Sequence, residues 1–422
     1  MRISLLLTIF SSLSSATALV GPSPPLYFKP TTRVIPPHPV DGETSFIDTH
    51  RNGPFDGPHT DLINSTAIEW WYFDASSMEG EQAIAVWWTT PNPAAIGLNF
   101  TSSNWFIFHS RFRDGTSYDT FIPADEVIIK TTGDGSSGLY TGAGSGWSGT
   151  PDMSHYSMSF DIQDEGIRGE VQIMRIVPSR SAKRPATDLD EDMRNIGALG
   201  WALAVPGGDA TAYVQVGEKT ISFDEGSGYH DHNWGIGLAD FHNWYAIHGR
   251  FGLYTFTAIE TLLQAPSSPD INSPTTFGQT WLDYNGTTLV ETLDPSAVRI
   301  RPWGNGAEYP PKGYYPNPLG AVITIDAGEH GVFELNVTSK TSSPRVPMGV
   351  GLGKWFGTVK GSVRGGKVSE GPAMFEWLDL DLEPGVEEGL VVQGGALRRD
   401  EGVMKDGVWS RDMEKKRGWV EG

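Results

Sequence analysis

The chain contains no cysteine among its 422 residues. This absence excludes disulfide bonds, thiolate metal sites and cysteine nucleophiles. A chain of this length can still bury a large apolar core without cross-links, because the buried fraction of the surface rises with chain length. Any chemistry that the protein performs must therefore come from other side chains.

Positive charge is also scarce, with 31 Lys and Arg against 51 Asp and Glu and a net charge of −20 at pH 7. Nucleic acids and anionic membrane surfaces bind proteins through a basic surface, so neither is predicted as a partner. No segment has the roughly 18 uninterrupted apolar residues of a membrane-spanning helix, so no membrane insertion is predicted. The charge favours an uncharged or mildly polar small molecule, or a glycan. The sequence does not indicate an oligomeric state.

The first 18 residues have the pattern of a secretory signal peptide. A basic residue, Arg2, precedes a short apolar run, Ile3–Phe10, and the segment ends in Ala16-Thr17-Ala18. This order predicts cleavage before Leu19 and secretion, or residence in the lumen of the secretory pathway. Four N-glycosylation sequons agree with that route, at Asn64, Asn99, Asn285 and Asn336.

Strand-like runs recur along the chain, from Ala67–Asp74 to Ala373–Leu380. Most alternate apolar and polar residues and are bounded by Gly, Pro, Asn, Asp or Ser, whereas helical periodicity is rare. The pattern predicts an all-β protein built of antiparallel sheets that form barrels or sandwiches. Because one barrel seldom needs 422 residues, two β-domains are predicted.

The predicted domain organisation has five parts. They are a signal peptide (1–18), a Pro-rich extended arm (19–40), an N-terminal β-domain (41–235), a C-terminal β-domain (236–390) and a charged tail (391–422). This division places the segment Gly228–Gly235 at the boundary between the two β-domains. Ligand pockets often form at such boundaries.

The octet Gly228–Gly235 contains unusually many polar and aromatic side chains. Because side chains alternate along a strand, the octet presents two different faces. One face carries His230, His232 and Trp234, and the other carries Tyr229, Asp231 and Asn233. Two interpretations remain open, namely residues that line a site and a buried polar network that rigidifies a β-core.

A second cluster is the hexapeptide Glu69–Asp74, whose two faces both carry aromatic rings. Glu69, Trp71 and Phe73 share one face, and Trp70, Tyr72 and Asp74 share the other. The pattern predicts a central strand covered on both sides. A carboxylate such as Glu69 in an aromatic wall must find a donor or keep its proton. The alternative is an ordinary core strand in which Glu69 pairs with an arginine.

Three kinds of chemistry can be compared with this inventory. His230-x-His232 resembles the paired imidazoles of cupin metal sites, but no carboxylate follows before Asp240, so no metal is predicted. The chain lacks a Gly-x-Ser-x-Gly nucleophile elbow. Catalysis without a cofactor in an apolar pocket fits the residues better, because it needs only aromatic walls and a few polar groups. A β-barrel carrier without activity would have the same inventory.

Together, the hexapeptide and the octet resemble the carotenoid-hydratase (hydroxyneurosporene synthase) and AttH-like group. The fungal relatives in that group include lipocalin-like Diels–Alderases. The resemblance covers about residues 40–380 and implies two lipocalin-like β-barrel domains with the pocket near their junction. It implies either water addition to an isoprenoid double bond or a cofactor-free [4+2] cycloaddition. The signal peptide and sequons favour the fungal hetero-Diels–Alderases, which join a tropolone-derived quinone methide to a sesquiterpene.

With this resemblance, the sequence predicts a [4+2] cyclase of fungal secondary metabolism that acts on small hydrophobic polyketide or terpenoid substrates. The predicted catalytic residues are His230, His232, Glu69, Tyr72 and Arg111. The predicted substrate-binding residues are Trp71, Tyr229, Asp231, Trp234, His242 and Trp244. His230 with Glu69 is a candidate acid pair for loss of water. The alternatives are an isoprenoid hydratase or isomerase, a lipophile carrier, and motif residues with a purely structural role.

Overall fold

The computed structural model describes residues 28–90, 102–181, 193–196, 199–236, 241–263, 276–304, 307, 309, 318–340, 345–347 and 351–379. The predicted signal peptide, residues 19–27 of the Pro-rich arm and the charged tail lie outside these residues. The described helices are three single 3₁₀ turns, at His50–Asn52, Gln163–Glu165 and Gly328–His330. None of the described helices has the length and apolarity that crossing a membrane requires.

The first of two sheets contains 14 strands of the described chain. They are β1 Thr31–Ile35, β2 Ala67–Ser77, β3 Ala83–Thr89, β4 Trp105–Arg111, β5 Ser117–Pro123, β6 Val127–Thr132, β7 Gly135–Tyr140, β8 Ser145–Gly149, β9 His155–Ile162, β10 Ile167–Arg175, β11 Arg180–Ser181, β12 Arg194–Ile196, β13 Leu199–Val216 and β14 Lys219–Ile236. The main order is β1-β6-β7-β8-β9-β10-β13-β14-β2-β3-β4-β5, and β11 and β12 both pair with β13.

The second sheet contains 10 strands of the described chain. They are β15 Phe241–Phe251, β16 Tyr254–Leu263, β17 Thr276–Tyr284, β18 Thr287–Thr292, β19 Val298–Trp303, β20 Gly320–Asp326, β21 Val332–Ser339, β22 Arg345–Pro347, β23 Gly351–Val363 and β24 Ser369–Asp379. The order is β18-β17-β16-β15-β24-β23-β21-β20-β19, and β22 pairs with β23. The change of sheet falls between Ile236 and Phe241.

All the strand pairings in both sheets are antiparallel, which confirms the all-β prediction. In the first sheet, β14 pairs with β2 along its C-terminal half, with His232 opposite Trp71 and Trp234 opposite Glu69. This register places the octet directly beside the hexapeptide. Two motifs that are about 150 residues apart in the sequence are therefore neighbours at the centre of one sheet.

Three apolar clusters fill the protein, one within each sheet and one between the sheets. Alternation on the central strands decides which cluster each side chain joins. Trp71 and Phe73 of β2 enter the core of the first sheet, whereas Trp70 and Tyr72 enter the cluster between the sheets, called the junction below. The prediction that β2 is covered on both faces is confirmed.

A glycine allows the tight packing of the octet's tryptophan. Gly200 of β13 pairs with Trp234, and a Cβ at this glycine would lie 2.0 Å from the indole ring. Because that separation is far below van der Waals contact, only glycine leaves room for the ring here. Trp234 is fully buried as a result.

Candidate active site

The histidine face of the octet points into the core of the first sheet. The side chains of His230 and His232 are both 0 % exposed. His230 Nε2 lies 3.1 Å from both carboxylate oxygens of Asp56, and its Nδ1 lies 2.9 Å from the Tyr72 carbonyl oxygen. His232 Nε2 lies 3.0 Å from Glu69 Oε1. Each imidazole therefore has a buried carboxylate partner.

Further donors complete this network. Asp56 Oδ2 accepts hydrogen bonds from the hydroxyls of Ser136 at 2.6 Å and Tyr156 at 2.7 Å. Glu69 Oε1 also accepts the backbone N–H of His59 at 2.6 Å. Burial acts to raise the pKa of each carboxyl, but the hydrogen bonds and charges of the histidines outweigh it, so both pKa values lie below the ordinary range. Both groups are thus held as carboxylates.

The rings of this network stack closely on its aromatic neighbours. His230 stacks on Phe73 at 3.7 Å between ring centroids, and His59 stacks on Trp234 at the same separation. His232 stacks on Trp71 at 4.2 Å.

The suggested pairing of His230 with Glu69 is wrong, since His230 pairs with Asp56 and His232 with Glu69. An arginine was also suggested as the partner of Glu69, but the side chain that pairs with Glu69 is His232. Asp56 and His59 precede the hexapeptide and carried no signal in the sequence.

The opposite face of the octet points into the junction. Asp231 Oδ2 accepts the Tyr229 hydroxyl at 2.8 Å and the Trp201 indole N–H at 2.9 Å. Asp231 Oδ1 accepts the Asn233 amide at 3.1 Å. Burial raises the pKa of Asp231, and the opposing effects of Lys354 and of these hydrogen bonds do not cancel the increase. This carboxyl keeps its proton to a higher pH than an exposed aspartate does.

A second polar group in the junction joins the two sheets. Asp74 Oδ2 accepts the Tyr72 hydroxyl at 2.6 Å and lies 2.7 Å from Nε2 of His248, which belongs to β15. The imidazole of His248 stacks on Tyr229 with centroids 3.7 Å apart. Burial, followed by the charges of nearby carboxylates, raises the pKa values of Tyr72 and Tyr229 well above the ordinary value. Both hydroxyls therefore remain hydrogen-bond donors.

The junction also contains a buried cation, Lys354. Lys354 of β23 is only 4 % exposed, and its Nζ lies 2.6 Å from Glu376 Oε2. Glu376 Oε1 accepts the indole N–H of Trp244 at 2.8 Å. The same ammonium lies 3.3 Å from the ring centroid of Tyr72 and 4.0 Å from that of Trp87. Such close cation–π contacts stabilise a charge that has lost most of its water.

Apolar and aromatic side chains from both sheets surround these polar groups. The members from the first sheet are Ile68, Tyr72, Ala83, Ala85, Trp87, Trp105, Ile107, Phe121, Leu199, Trp201, Leu203 and Tyr229. Those from the second sheet are Ile259, Trp281, Phe356, Met374 and Leu378, with Trp70, Trp244, Ala246 and Phe277 at the margin. A few convergent polar groups within such a wall are typical of small-molecule sites.

The structure divides the predicted site residues into separate locations. Tyr72, Tyr229, Asp231 and Trp244 lie in the junction. His230, His232, Glu69, Trp71 and Trp234 lie in the core of the first sheet. Arg111 ends β4 beside the second sheet, where it donates to the Lys340 carbonyl. The side chain of His242 lies outside the described part. These are locations only, and the catalytic and binding roles stay predictions.

Four titratable side chains of the junction, His248, Asp74, Lys354 and Glu376, were not predicted as site residues. His248 is one of four histidines within nineteen positions, and Asp74 closes the hexapeptide, so a weak signal existed for both. Lys354 and Glu376 carried none, because their partners Tyr72 and Trp244 are more than 100 residues away. Within the described ranges, no group of three or more His, Asp or Glu side chains is arranged to hold a metal ion.

The predicted sequons differ in their surroundings. Asn285 and Asn336 are exposed, on the β17–β18 turn and on β21. Asn64 is half-buried and donates its amide to the Gly42 carbonyl at 3.0 Å. Asn99 lies outside the described residues. Two of the three described sites therefore present an exposed asparagine.

Two fungal proteins resemble this chain over most of its length. A quinolone epoxide rearrangement protein of Emericella nidulans is 26% identical over 338 residues, which is 76% of this chain and 86% of that protein. A quinolone epoxide rearrangement protein of Penicillium thymicola is 25% identical over 351 residues, or 80% of this chain and 92% of that protein.

Comparison with solved structures supports the same fold. The crystal structure of CghA with Sch210972 superposes with a TM-score of 0.66 at 16% identity, covering 83% of this chain and 98% of CghA. This likeness confirms the two-sheet, lipocalin-like fold class. The Diels-Alderase-like family model matches residues 40–276, more than half of the chain, which confirms the resemblance seen in the two motifs. The chain therefore belongs to the Diels-Alderase-like family.

Proposed function

We propose that the protein is a cofactor-independent enzyme that cyclises or rearranges a small apolar molecule in the junction between its two sheets. The observation that carries this proposal is the set of buried polar groups within the aromatic junction. Three carboxyl groups (Asp74, Asp231 and Glu376), one ammonium (Lys354) and one imidazole (His248) meet there. An apolar site with a few fixed charges can hold a substrate and polarise it at one point.

The aromatic walls supply the positioning that a cycloaddition needs. Trp201 meets Trp281 edge-to-face at 5.5 Å, and Tyr72 lies 4.7 Å from Trp87. Flat rings of this kind favour planar, conjugated substrates. Holding two reacting groups in register is worth about 7–11 kcal/mol in the best cases, without covalent chemistry. A [4+2] cyclase gains most of its rate in this way.

The polar groups supply the remaining chemistry. The ammonium of Lys354 has three N–H donors and can stabilise negative charge on a carbonyl oxygen. Tyr72 and Tyr229 can do so when their hydroxyls turn from Asp74 and Asp231 to the substrate. Asp231, which retains its proton to higher pH, can act as a general acid. Loss of water from an alcohol precursor would give a quinone methide, the reactive partner in a hetero-Diels–Alder reaction. We propose a tropolone-derived quinone methide and a sesquiterpene as the substrate pair.

A second candidate function is the rearrangement of an epoxide. The names of the two fungal relatives support it, and so does the raised pKa of Asp231. Transfer of a proton from this carboxyl to the epoxide oxygen would assist cleavage of a C–O bond. The neighbouring carboxylates and aromatic rings would then stabilise the positive charge that develops on carbon.

The test is a turnover assay on the purified protein with three substrate sets. They are a quinone-methide precursor with humulene, linear polyene–dienophile polyketides, and a quinolone epoxide. Chiral analysis of the products is compared with an enzyme-free control. Asp231→Asn removes the acid, and Asp161→Asn, at an exposed position of β9, is the matched control.

A faster, single-enantiomer cycloadduct supports the cyclase, and a rearranged epoxide supports the second function. Products identical to those of the control, together with saturable binding, would contradict both and favour a carrier. Hydration of an isoprenoid would favour a hydratase instead.

We also propose that the protein passes through the secretory pathway. The pattern of residues 1–18 and the exposed sequons at Asn285 and Asn336 support this route. The absence of cysteine is compatible with an oxidising compartment, because no thiol can mispair there.

A further inference from the structure

One buried amide in the junction has no hydrogen-bond partner. Gln279 of β17 is 1 % exposed, and both its Nε2 and its Oε1 are fully buried without a partner. Burying such a group unsatisfied costs about 1–3 kcal/mol for each donor or acceptor, so proteins seldom keep one without a use. Leu or Met would fill a similar volume without that cost. The amide is the kind of group expected where a ligand completes the hydrogen bonds.

The register of the sheet places this amide in the junction. Phe277 and Trp281 belong to the junction cluster, and Gln279 lies between them on the same face of β17. On β16, Thr261 pairs with Phe277, and its hydroxyl is also buried without a partner. Two unsatisfied polar side chains thus occur as diagonal neighbours on adjacent strands.

Gln279 also shares a cross-strand row with the buried ion pair. Following the register across the sheet, Gln279 lies opposite Ile259, Ile259 opposite Ala246, and Ala246 opposite Glu376. Lys354 then lies opposite Glu376. Three strand spacings separate the amide from Glu376, about 14 Å along the sheet. The two residues between them are apolar, and Ala246 is small and half-exposed. The row has polar groups at both ends and an apolar floor that suits a polycyclic ligand.

We infer that Gln279 determines substrate specificity, and that its amide binds a planar group with a hydrogen-bond donor and acceptor side by side. A carboxamide offers one N–H and one C=O in a plane, so it pairs in a bidentate manner with a lactam or an α-hydroxy ketone. This inference rests on the proposed function and deepens it by naming the substrate class. A pure hydrocarbon cannot satisfy the amide.

The test measures binding of matched probe pairs to the full-length protein, by calorimetry and by quenching of tryptophan fluorescence. The lactam pair is 2-quinolone and N-methyl-2-quinolone, which lacks the donor. The hydroxy-ketone pair is tropolone and its methyl ether. Humulene serves as the probe without polar groups. We expect one parent compound to bind wild-type protein about 10- to 100-fold more tightly than its methylated partner.

Gln279→Met should abolish that difference while leaving humulene binding unchanged. Its thermal midpoint should equal or exceed the wild-type value, because methionine removes unsatisfied polar atoms and fills the same space. Gln172→Met on β10, where the glutamine is half-buried and donates to Ser157 at 3.2 Å, is the matched control. Gln279→Leu is a second variant in case the first is poorly folded.

Each outcome decides the inference. Selectivity in the lactam pair or in the hydroxy-ketone pair supports it and identifies the source of the chemistry. Equal binding of parent and methylated compounds, or no binding of either parent, would overturn it. A lower thermal midpoint for Gln279→Met with selectivity intact would also overturn it, since the amide would then be structural. Turnover is scored separately, so a selective site without turnover contradicts only the proposed function.

Discussion

His248 and Asp74 form a hydrogen bond that crosses from one sheet to the other, with His248 Nε2 and Asp74 Oδ2 2.7 Å apart. Asp74 belongs to β2 of the first sheet and His248 to β15 of the second. A carboxylate that accepts from one imidazole nitrogen fixes the tautomer and leaves the other nitrogen for proton transfer. Neither sheet alone contains this pair, so the candidate site exists only when the two sheets are docked.

Asp231→Asn should lower kcat by about 100-fold if the carboxyl is the general acid.

The raised pKa of Asp231 means that the folded state binds the proton more tightly than the unfolded state does. This group's contribution to stability therefore falls as pH rises above its ordinary value of 3.8. The unfolding free energy of the wild type minus that of Asp231→Asn should therefore be smaller at neutral pH than below pH 3.8. Urea unfolding of both proteins across this pH range measures the difference. A difference in unfolding free energy that grows with pH would contradict the prediction.

His230→Ala should destabilise the fold, because it leaves the fully buried Asp56 carboxylate without its imidazole partner. Leaving a buried acceptor without its hydrogen-bond donor costs about 1–3 kcal/mol of unfolding free energy, and more when the acceptor is charged. The control is His155→Ala on the half-exposed face of β9, where a loss within about 0.5 kcal/mol is expected. The catalytic assignment of His230 and His232 stays a prediction. A lower rate with an unchanged thermal midpoint would support that assignment against the structural role.

Acidification should destabilise the protein from pH 6.5 downward, with His59 as one cause. Burial, followed by the charge of His232, lowers the pKa of His59 from 6.5 to about 4. The unfolded chain then binds a proton that the folded chain does not, so stability present above pH 6.5 is lost progressively toward pH 4. The loss is about 3 kcal/mol per molecule. His59→Asn should flatten the dependence of unfolding free energy on pH, and an unchanged slope would show that His59 is not the cause.

Lys354→Met should lower the thermal midpoint, because Glu376 then remains buried without its ammonium partner. Glu376→Gln should do the same. The double variant should be more stable than either single variant, because neither charge is then left unpaired in the apolar junction. A double-mutant cycle of unfolding free energies measures the coupling. Additive losses would mean that the two groups act independently.

Secretion and glycosylation can be tested in a eukaryotic expression host. We expect the mature chain to begin at Leu19 and its mass to fall after enzymatic removal of N-glycans. Asn285→Gln and Asn336→Gln should each remove one glycan, because both amides are exposed. N-terminal sequencing and intact-mass analysis provide the measurement. Retention inside the cell with an uncleaved N-terminus would contradict the proposal.

Much of the fold was predictable from local patterns. Alternation within Glu69–Asp74 and Gly228–Gly235 correctly predicted which side chains share a face, because a strand's period of two leaves no other arrangement. Aromatic residues on both faces of the hexapeptide correctly predicted a strand buried on both sides. The recurring short strands with Gly and Pro turns predicted the all-β class for the same local reason.

What only the tertiary structure decided is the environment of each face. The histidine face enters a closed core and meets Asp56, whereas the Asp231 face enters the junction. Both faces have the same local pattern, so nothing within the strand distinguishes core from junction. The junction residues Lys354 and Gln279 come from the other sheet and lie more than 40 residues further along the chain. Long-range register and docking bring them there, and neither the spacing nor the composition of the sequence encodes such contacts locally.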